Sequence, residues 1–490
     1  MFSRTGEAAV PFRNNLLSRA APTILILLLI VGSARSPIAA QIESQAAHKL
    51  ILDAHAEAAK GDWVQAAVNL QQASELLPRD AGLRVELGAA LANSGRLTEA
   101  IASYEEALRI SPRNLPAELG LAQGYRGVHN YEETRRVLER ACREHPKSAA
   151  PLAALGDLEI ELQTYEAAIG HLRAAAALEP SNINARNYLA AAYQAKGDQE
   201  SALVQIAKVL ARDPQNALAY FQRAEIYSAR NEDARALPDA EHASARQPQN
   251  PRARALLGKI LLRNADNAAA ADAAAICGKA VAALRPLLET KPGDSETLFL
   301  LSRAYRCAGQ QAEAQKTLAD FEAASQRDRA TKQDQHEAEH LVEQANNLAI
   351  KNDLPGALDL LQQAIAKDPS FSPAYSLFAK LYYSAGDLEK ASEAISKALK
   401  ISPYVPDFLY VQGKILEREG KLDEALAAFE RTVLVNPKEA DAYFEIGVIY
   451  QQRNERARAL AAYKKAAALS PDDADYRHAL EALSGAASKP

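Results

Sequence analysis

Tryptophan occurs once in these 490 residues, at Trp63, aromatic residues make up only 6%, and alternating β-branched runs are missing. That poverty speaks against a sandwich or barrel and for a helical array. Glycine-rich phosphate loops are absent as well, which removes the usual nucleotide-binding signatures. The longest uninterrupted apolar run, Ile24 to Val31, is far short of the roughly 20 residues that cross a bilayer. A net charge of -5 gives no reason to expect a nucleic-acid partner. Cysteine is also scarce. Cys142, Cys277 and Cys307 make an odd set that leaves at least one thiol free. Cys277 and Cys307 are able to meet across neighbouring units, but the role expected of them is the commoner one of small buried hydrophobes.

What is present is a beat. Proline recurs at Pro78, Pro112, Pro146, Pro180, Pro214 and Pro248, each step being thirty-four residues, and the period returns at Pro369, Pro403, Pro437 and Pro471. With each proline set as position 32, position 8 is small in every unit: Ala54, Gly88, Ala122, Gly156, Ala190, Ala224, Gly258, Ser302, Ala345, Ala379, Gly413 and Gly447. Position 20 is alanine in all units but one, where Thr134 stands. Position 24 is large, as at Leu70, Tyr104, Leu172, Leu284, Leu318, Phe429 and Tyr463, with Ala240 undersized. Small residues where two helices cross, flanked by large apolar ones, are what close helix packing requires. Glycines at 61, 95, 197, 386 and 420 supply the left-handed residue that lets a second helix fold back on the first.

This pattern resembles the tetratricopeptide repeat (TPR) family, over nearly the whole chain after residue 40. The resemblance implies an all-α solenoid of about twelve helical hairpins, closed by a capping helix at Ala474 to Leu483, with stability accumulating along one dimension.

The N-terminus carries Arg4, Arg13 and Arg19, then the apolar run, then small residues around Ala34 and Ala39-Ala40. That is the layout of a secretory signal peptide over residues 1–40, and it predicts export to the periplasm or cell envelope. Removing residues 1–40 takes away four arginines (Arg4, Arg13, Arg19, Arg35) and Glu7, which moves the net charge from -5 to -8.

The beat breaks twice. Forty-four residues separate Pro248 from Pro292, the excess falling in Ala265 to Cys277, so unit seven is expected to carry an insertion between its helices, as a longer helix or a wide turn. At the second break position 32 is Gln326, and Gln310 to Leu354 contains neither glycine nor proline. A long helix is expected here, polar on all sides through residues 329–337. The expected organisation is one block of eight units within 41–328, this linker, a second block of four units and cap at 338–484, and a tail at 485–490.

The linker holds His336-Glu337-Ala338-Glu339-His340, a formal match to the HExxH zinc pattern. Charged neighbours and the lack of a third ligand, the next glutamate after Glu343 being Glu389, favour a solvated helix over a peptidase centre. No cofactor is expected. The other histidines, His145 among them, stand at no telling spacing.

By the family resemblance, positions 2, 5, 9, 12 and 13 of the first helices face a bound partner. Repeats one to six place mostly small or uncharged residues there. Later repeats place Arg252, Lys259, Arg263, Arg303 and Arg306 around Phe299, then Lys380, Lys414 and Arg418 beside Tyr383 and Tyr410. Cations interleaved with aromatics suit an acidic segment or a C-terminal carboxylate of a protein partner. The expected function is a non-enzymatic scaffold of the cell envelope. The alternatives are an envelope peptidase or peptidase-associated factor using the HEAEH segment, and an intracellular adaptor.

Overall fold

The computed structural model describes residues 37–485, so the leader-like segment lies outside the described range except for 37–40, which open the first helix. All regular structure in that range is helical. Helices α1 (Pro37–Ala59) to α4 (Leu97–Ile110) form two hairpins in a first compact unit, which ends at Pro112. The second unit starts at Arg113 and contains the rest. Its first six hairpin helices are α5 (Leu115–Gly127), α6 (Tyr131–Glu144), α7 (Ala149–Glu161), α8 (Tyr165–Leu178), α9 (Ile183–Lys196) and α10 (Gln199–Arg212). Next come α11 (Ala217–Ala229), α12 (Asp233–Arg246), α13 (Pro251–Asp266), α14 (Ala270–Leu284), the single turn α15 (Leu287–Thr290) and α16 (Ser295–Cys307). Helix α17 (Gln311–Ile350) is followed by α18 (Leu354–Lys367), α19 (Ser372–Ala385), α20 (Leu388–Ile401), α21 (Pro406–Arg418), α22 (Leu422–Val435), α23 (Ala440–Gln452), α24 (Arg456–Leu469) and the capping helix α25 (Ala474–Gly485).

The period dictates both the ends and the crossings of these helices. In the earlier units the residue two after the closing proline caps the next first helix: the side chains of Asp80, Asn114, Asn182, Asn216 and Asn250 accept from backbone N–H groups of the following turn, whereas Phe371, Val405 and Glu439 at the same place in the later units make no such bond. Such a cap is worth about 1 kcal/mol. At position 8 the glycines admit the large residue of position 24: a Cβ on Gly88 would lie 2.6 Å from the Tyr104 ring, and one on Gly447 2.5 Å from that of Tyr463. Every position-20 residue, Thr134 included, is buried. The left-handed turn residue is glycine in half of the units, and in five others it is His129, Gln163, Asn231, Asn352 or Asn454, with φ near +60°; the widened turn of unit seven has none among the described residues. Chain reversal thus persists where glycine is absent, at a conformational cost of about 1–2 kcal/mol for a non-glycine residue.

The insertion of unit seven is absorbed by longer helices: α13 has 16 residues against 13 in α11, and the second helix, α14 (15 residues) continued past Arg285-Pro286 by the turn α15 (4 residues), replaces the 14 of α12. Gly258 still meets Leu284, at 2.5 Å from its ideal Cβ, so the crossing is kept across the extra residues. Cys277 and Cys307 are not separate buried hydrophobes but a disulfide, with Cα atoms 5.8 Å apart. Cys277 in α14 and Cys307 at the end of α16 are separated by 30 residues, the spacing at which Glu166 meets Lys196 and Glu200 meets Arg230 in regular neighbouring units.

Helix α17 is 40 residues long, and residues 329–337 lie in its middle, where they are exposed apart from the partly exposed Asp334. Its sequence of Ala, Gln, Glu, Lys and Arg suits a helix that little else supports. Leu318, expected in the core at position 24, is 41% exposed. The chain runs straight on as α17 instead of turning back, so no following first helix covers that face of unit eight. The far end of α17 serves as the first helix of unit nine, with Ala338 and Ala345 buried in a core shared with Leu361, Phe378 and Ile395.

Within the second unit, Asn130 before α6 donates its Nδ2 to the Leu434 carbonyl at the end of α22 (2.6 Å), although 304 residues separate them. Lys438 pairs beside it with Glu132 at 2.7 Å, and that hydrogen bond holds the Glu132 carboxyl below its ordinary range. At the C-terminus α25 covers the last hairpin: Tyr476 stacks obliquely on Phe444 and donates its hydroxyl to Asp441.

Candidate protein-binding groove

First helices of successive units line a groove. A cavity of about 690 Å³ in repeats three to five is walled by Leu119, Gln123 and Arg126 of α5, Ala150, Ala153, Asp157 and Glu161 of α7, and Asn184 and Tyr188 of α9. Arg126 reaches across to Asp157 (2.6 Å) and Glu161 (2.5 Å), while the Tyr131 hydroxyl donates to Glu161 (2.8 Å). Burial alone would pull the Arg126 pKa down, but its two carboxylate partners leave it raised.

The later groove places the expected cations on the same face but gives most of them intramolecular carboxylates. Arg252 meets Glu225 (3.2 Å) and lies over the buried Phe221 ring, 5.1 Å from its centre. Lys259 meets Glu296 (2.5 Å), Arg263 meets Asp233 (2.6 Å) and Arg303 meets Asp266 (3.1 Å). Lys380 sits 2.8 Å from both oxygens of Asp407. Lys414 lies between Glu417 (2.6 Å) and Glu445 (2.9 Å), and the Tyr410 hydroxyl donates to the same Glu445 at 3.4 Å. Burial pushes the Tyr410 hydroxyl pKa up, and the nearby carboxylates push it further. Arg418 is held by the Tyr383 carbonyl (2.7 Å), with its guanidinium over the Tyr383 ring.

These carboxylates follow a rule. A lysine at position 9 pairs with an acid at position 2 or 6 of the next unit, as in Lys259–Glu296, Lys380–Asp407 and Lys414–Glu445. The signal lay in the sequence as charge complementarity one period away, visible only when consecutive first helices are laid side by side. Exposed ion pairs of this kind contribute about 0–1 kcal/mol each, so they organise the face more than they stabilise it.

The α16 stretch differs. Phe299, Arg303 and Arg306 fall at positions 5, 9 and 12 of one helix. Phe299 is 42% exposed and packs on Phe321 of α17 with ring centres 5.3 Å apart. Arg306 is exposed, and it has no carboxylate partner among the described residues. The partner of Arg303, Asp266, is itself 60% exposed.

The HEAEH segment lies where the bare span of α17 meets the core of unit nine, with Ala338 buried between its two histidines. The side chain of His336 is 87% exposed, with Nδ1 3.9 Å from Glu339. Glu337 is taken by Lys367 at 2.8 Å, and His340 pairs with Gln344 at 3.1 Å. Both histidines share a face, as helical spacing requires, but no third ligand approaches them among the described residues. No helix of the described residues is long and apolar enough to cross a membrane.

Two family models, both described as tetratricopeptide repeat, match the chain, one at residues 52–114, 153–217 and 410–474 and the other at 94–158 and 348–415. No curated protein matches it. Among solved structures it is similar to a tetratricopeptide repeat protein from Parabacteroides merdae, at 22% identity over 53% of this chain and 99% of that one, TM-score 0.41. It is similar to the APC/C hetero-tetramer Cut9–Hcn1 at 12% identity over 92% of each chain, TM-score 0.34. It is also similar to YrrB, a TPR protein with an unusual peptide-binding site, at 24% identity over 38% of this chain and 95% of that one, TM-score 0.30. Together the matched segments span more than half of the 490 residues and coincide with the hairpins described above. The chain belongs to the tetratricopeptide repeat family, whose helical arrays serve as scaffolds for protein–protein interaction.

Proposed function

We propose that this chain is a non-enzymatic scaffold of the cell envelope that holds an acidic segment or C-terminal carboxylate of a partner protein in its later groove. The observation that carries this reading is the α16 face, where the exposed Phe299 lies beside Arg303 and the exposed Arg306, which has no carboxylate partner among the described residues. An arginine fork and an exposed ring suit a carboxylate flanked by an apolar side chain. The remaining cations, Arg252, Lys259, Arg263, Lys380, Lys414 and Arg418, extend the surface, each able to exchange its present partner for a ligand carboxylate. Tyr383 and Tyr410 supply ring edges along it.

Export is part of the proposal. The N-terminal charge and apolar pattern supports it, and so does the Cys277–Cys307 bridge, since structural disulfides belong to oxidising compartments. The test of location is the N-terminal residue of the protein recovered from the envelope fraction. An intact Met1 in a cytoplasmic pool would refute export.

The test of binding is capture of envelope proteins by the full-length chain and by Arg303→Glu/Arg306→Glu, followed by titration of an acidic peptide from the captured partner. Each charge-assisted hydrogen bond contributes about 1.5–3 kcal/mol, so the double reversal is expected to weaken binding at least 10-fold. A partner retained equally by wild type and mutant would remove the α16 face as the site.

A further inference from the structure

Position 4 of the first helix is Leu, Arg or Tyr in every unit but the third, where it is Glu118. This carboxylate is completely buried. One oxygen, Oε1, accepts from Arg140 Nε at 3.3 Å. The other, Oε2, makes no hydrogen bond, and neither do the buried Oε2 of Glu144 and Nε2 of His145 at the end of α6. His145 Nε2 approaches Glu118 Oε2 to 3.0 Å without the alignment of a hydrogen bond. Ligand atoms of Glu118, Glu144 and His145 all lie within 4.8 Å of one another, and no other such trio of His, Cys, Asp or Glu occurs among the described residues.

Buried polar groups are ordinarily satisfied, because leaving one bare costs free energy that folding must recover elsewhere. Three bare atoms converging on one point define a shortage of positive charge or of donors there. Two carboxylate oxygens and one imidazole nitrogen form a donor set that suits a divalent transition ion such as Zn²⁺, with a fourth position left for water. The neighbouring Arg140 fixes the orientation of Glu118 through the oxygen that the ion does not need, which is the usual task of an outer partner in a metal site.

We propose that Glu118, Glu144 and His145 form a structural site for a divalent transition-metal ion, binding the start of α5 to the end of α6. The site is distinct from the HEAEH segment, whose histidines lie on the exposed part of α17. It does not depend on the groove proposed above. Bound metal closes repeat three from the inside, joining the two ends of one hairpin.

The experiment is calorimetric titration of the metal-stripped full-length protein with Zn²⁺ alone, alongside Co²⁺ as an absorbance probe. Saturable binding near one equivalent is expected, with a visible Co²⁺ band bleached by Zn²⁺ and a rise in Tm. His145→Ala should weaken binding at least about 100-fold, more than the 10- to 100-fold typical of outer-sphere changes. It removes the partly exposed ligand, so circular dichroism can confirm that the variant folds; Glu118→Gln, which keeps the shape, provides a second loss. His336→Ala should leave binding unchanged. Absence of saturable binding would show that His145 merely pairs with Glu118. Binding retained in His145→Ala, or lost in His336→Ala, would likewise overturn the assignment.

Discussion

The two breaks in the thirty-four-residue period are resolved in opposite ways. In unit seven the extra residues lengthen two packed helices, and a disulfide joins α14 to α16. In unit eight the lost proline lets one helix run for 40 residues, and its middle packs against almost nothing beyond Lys367, which reaches Asp334 and Glu337. One irregularity is braced and the other bare. The contrast teaches that a solenoid tolerates departures from its repeat in two currencies, either added tertiary contact or intrinsic helix propensity.

Breaking the brace should give the largest effect. A bridge closing a loop with a sequence separation of 30 contributes about 3–4 kcal/mol in the chain-entropy account. Cys277→Ser is therefore expected to lower the stability of units seven and eight by that amount, read by chemical denaturation. A loss no larger than that of a surface substitution would show the brace to be redundant. Thr331→Pro tests the bare span: about 3 kcal/mol of helix is lost there, yet cores on either side should stay protected in amide exchange, because few contacts cross residues 325–337. Protection that collapses in both flanking blocks together would mean that they form one cooperative unit. A regular unit gives the reference between these extremes. Ala202, fully buried at a crossing, should cost about 1–3 kcal/mol as Ala202→Leu through overpacking, and an unchanged Tm would dislodge the repeat alignment. Smallest is a gain: Gln163 holds φ at 59°, so Gln163→Gly should stabilise by about 0.5–1 kcal/mol. Destabilisation instead would show that the Gln163 side chain has a role of its own.

Much of this was legible in the sequence because stacked hairpins repeat their constraints. Gly88 against Tyr104 and Gly447 against Tyr463 follow from position alone. Leu318 was misread because its exposure depends on a helix that fails to turn back, an event outside its own unit. The sequence left the two cysteines able to meet but did not decide between a bridge and buried thiols: a separation of 30 is one at which neighbouring units touch elsewhere too, as in Glu166–Lys196 and Glu200–Arg230, and the period alone does not say which such pairs bond. In the groove the cations were visible and their partners were not: Asp407 and Glu445 look like ordinary surface acids until neighbouring units are aligned. Glu118 gave the faintest signal, a single carboxylate at a position otherwise filled by Leu, Arg or Tyr, whose convergence with Glu144 and His145 exists only once the hairpin closes.

Asn130 meeting Leu434 across 304 residues also changes how this array is to be thought of kinetically. Apart from its companion Lys438–Glu132, the ion pairs, caps and crossings of the array join neighbouring elements and can zip up locally. This one closes a loop spanning eight units, whose entropic cost is met only after everything between is in place. The bond itself is neutral and Asn130 is buried, so raising the salt concentration screens only its solvent-facing companion Lys438–Glu132 and should loosen the closure of repeats three and eleven only in part.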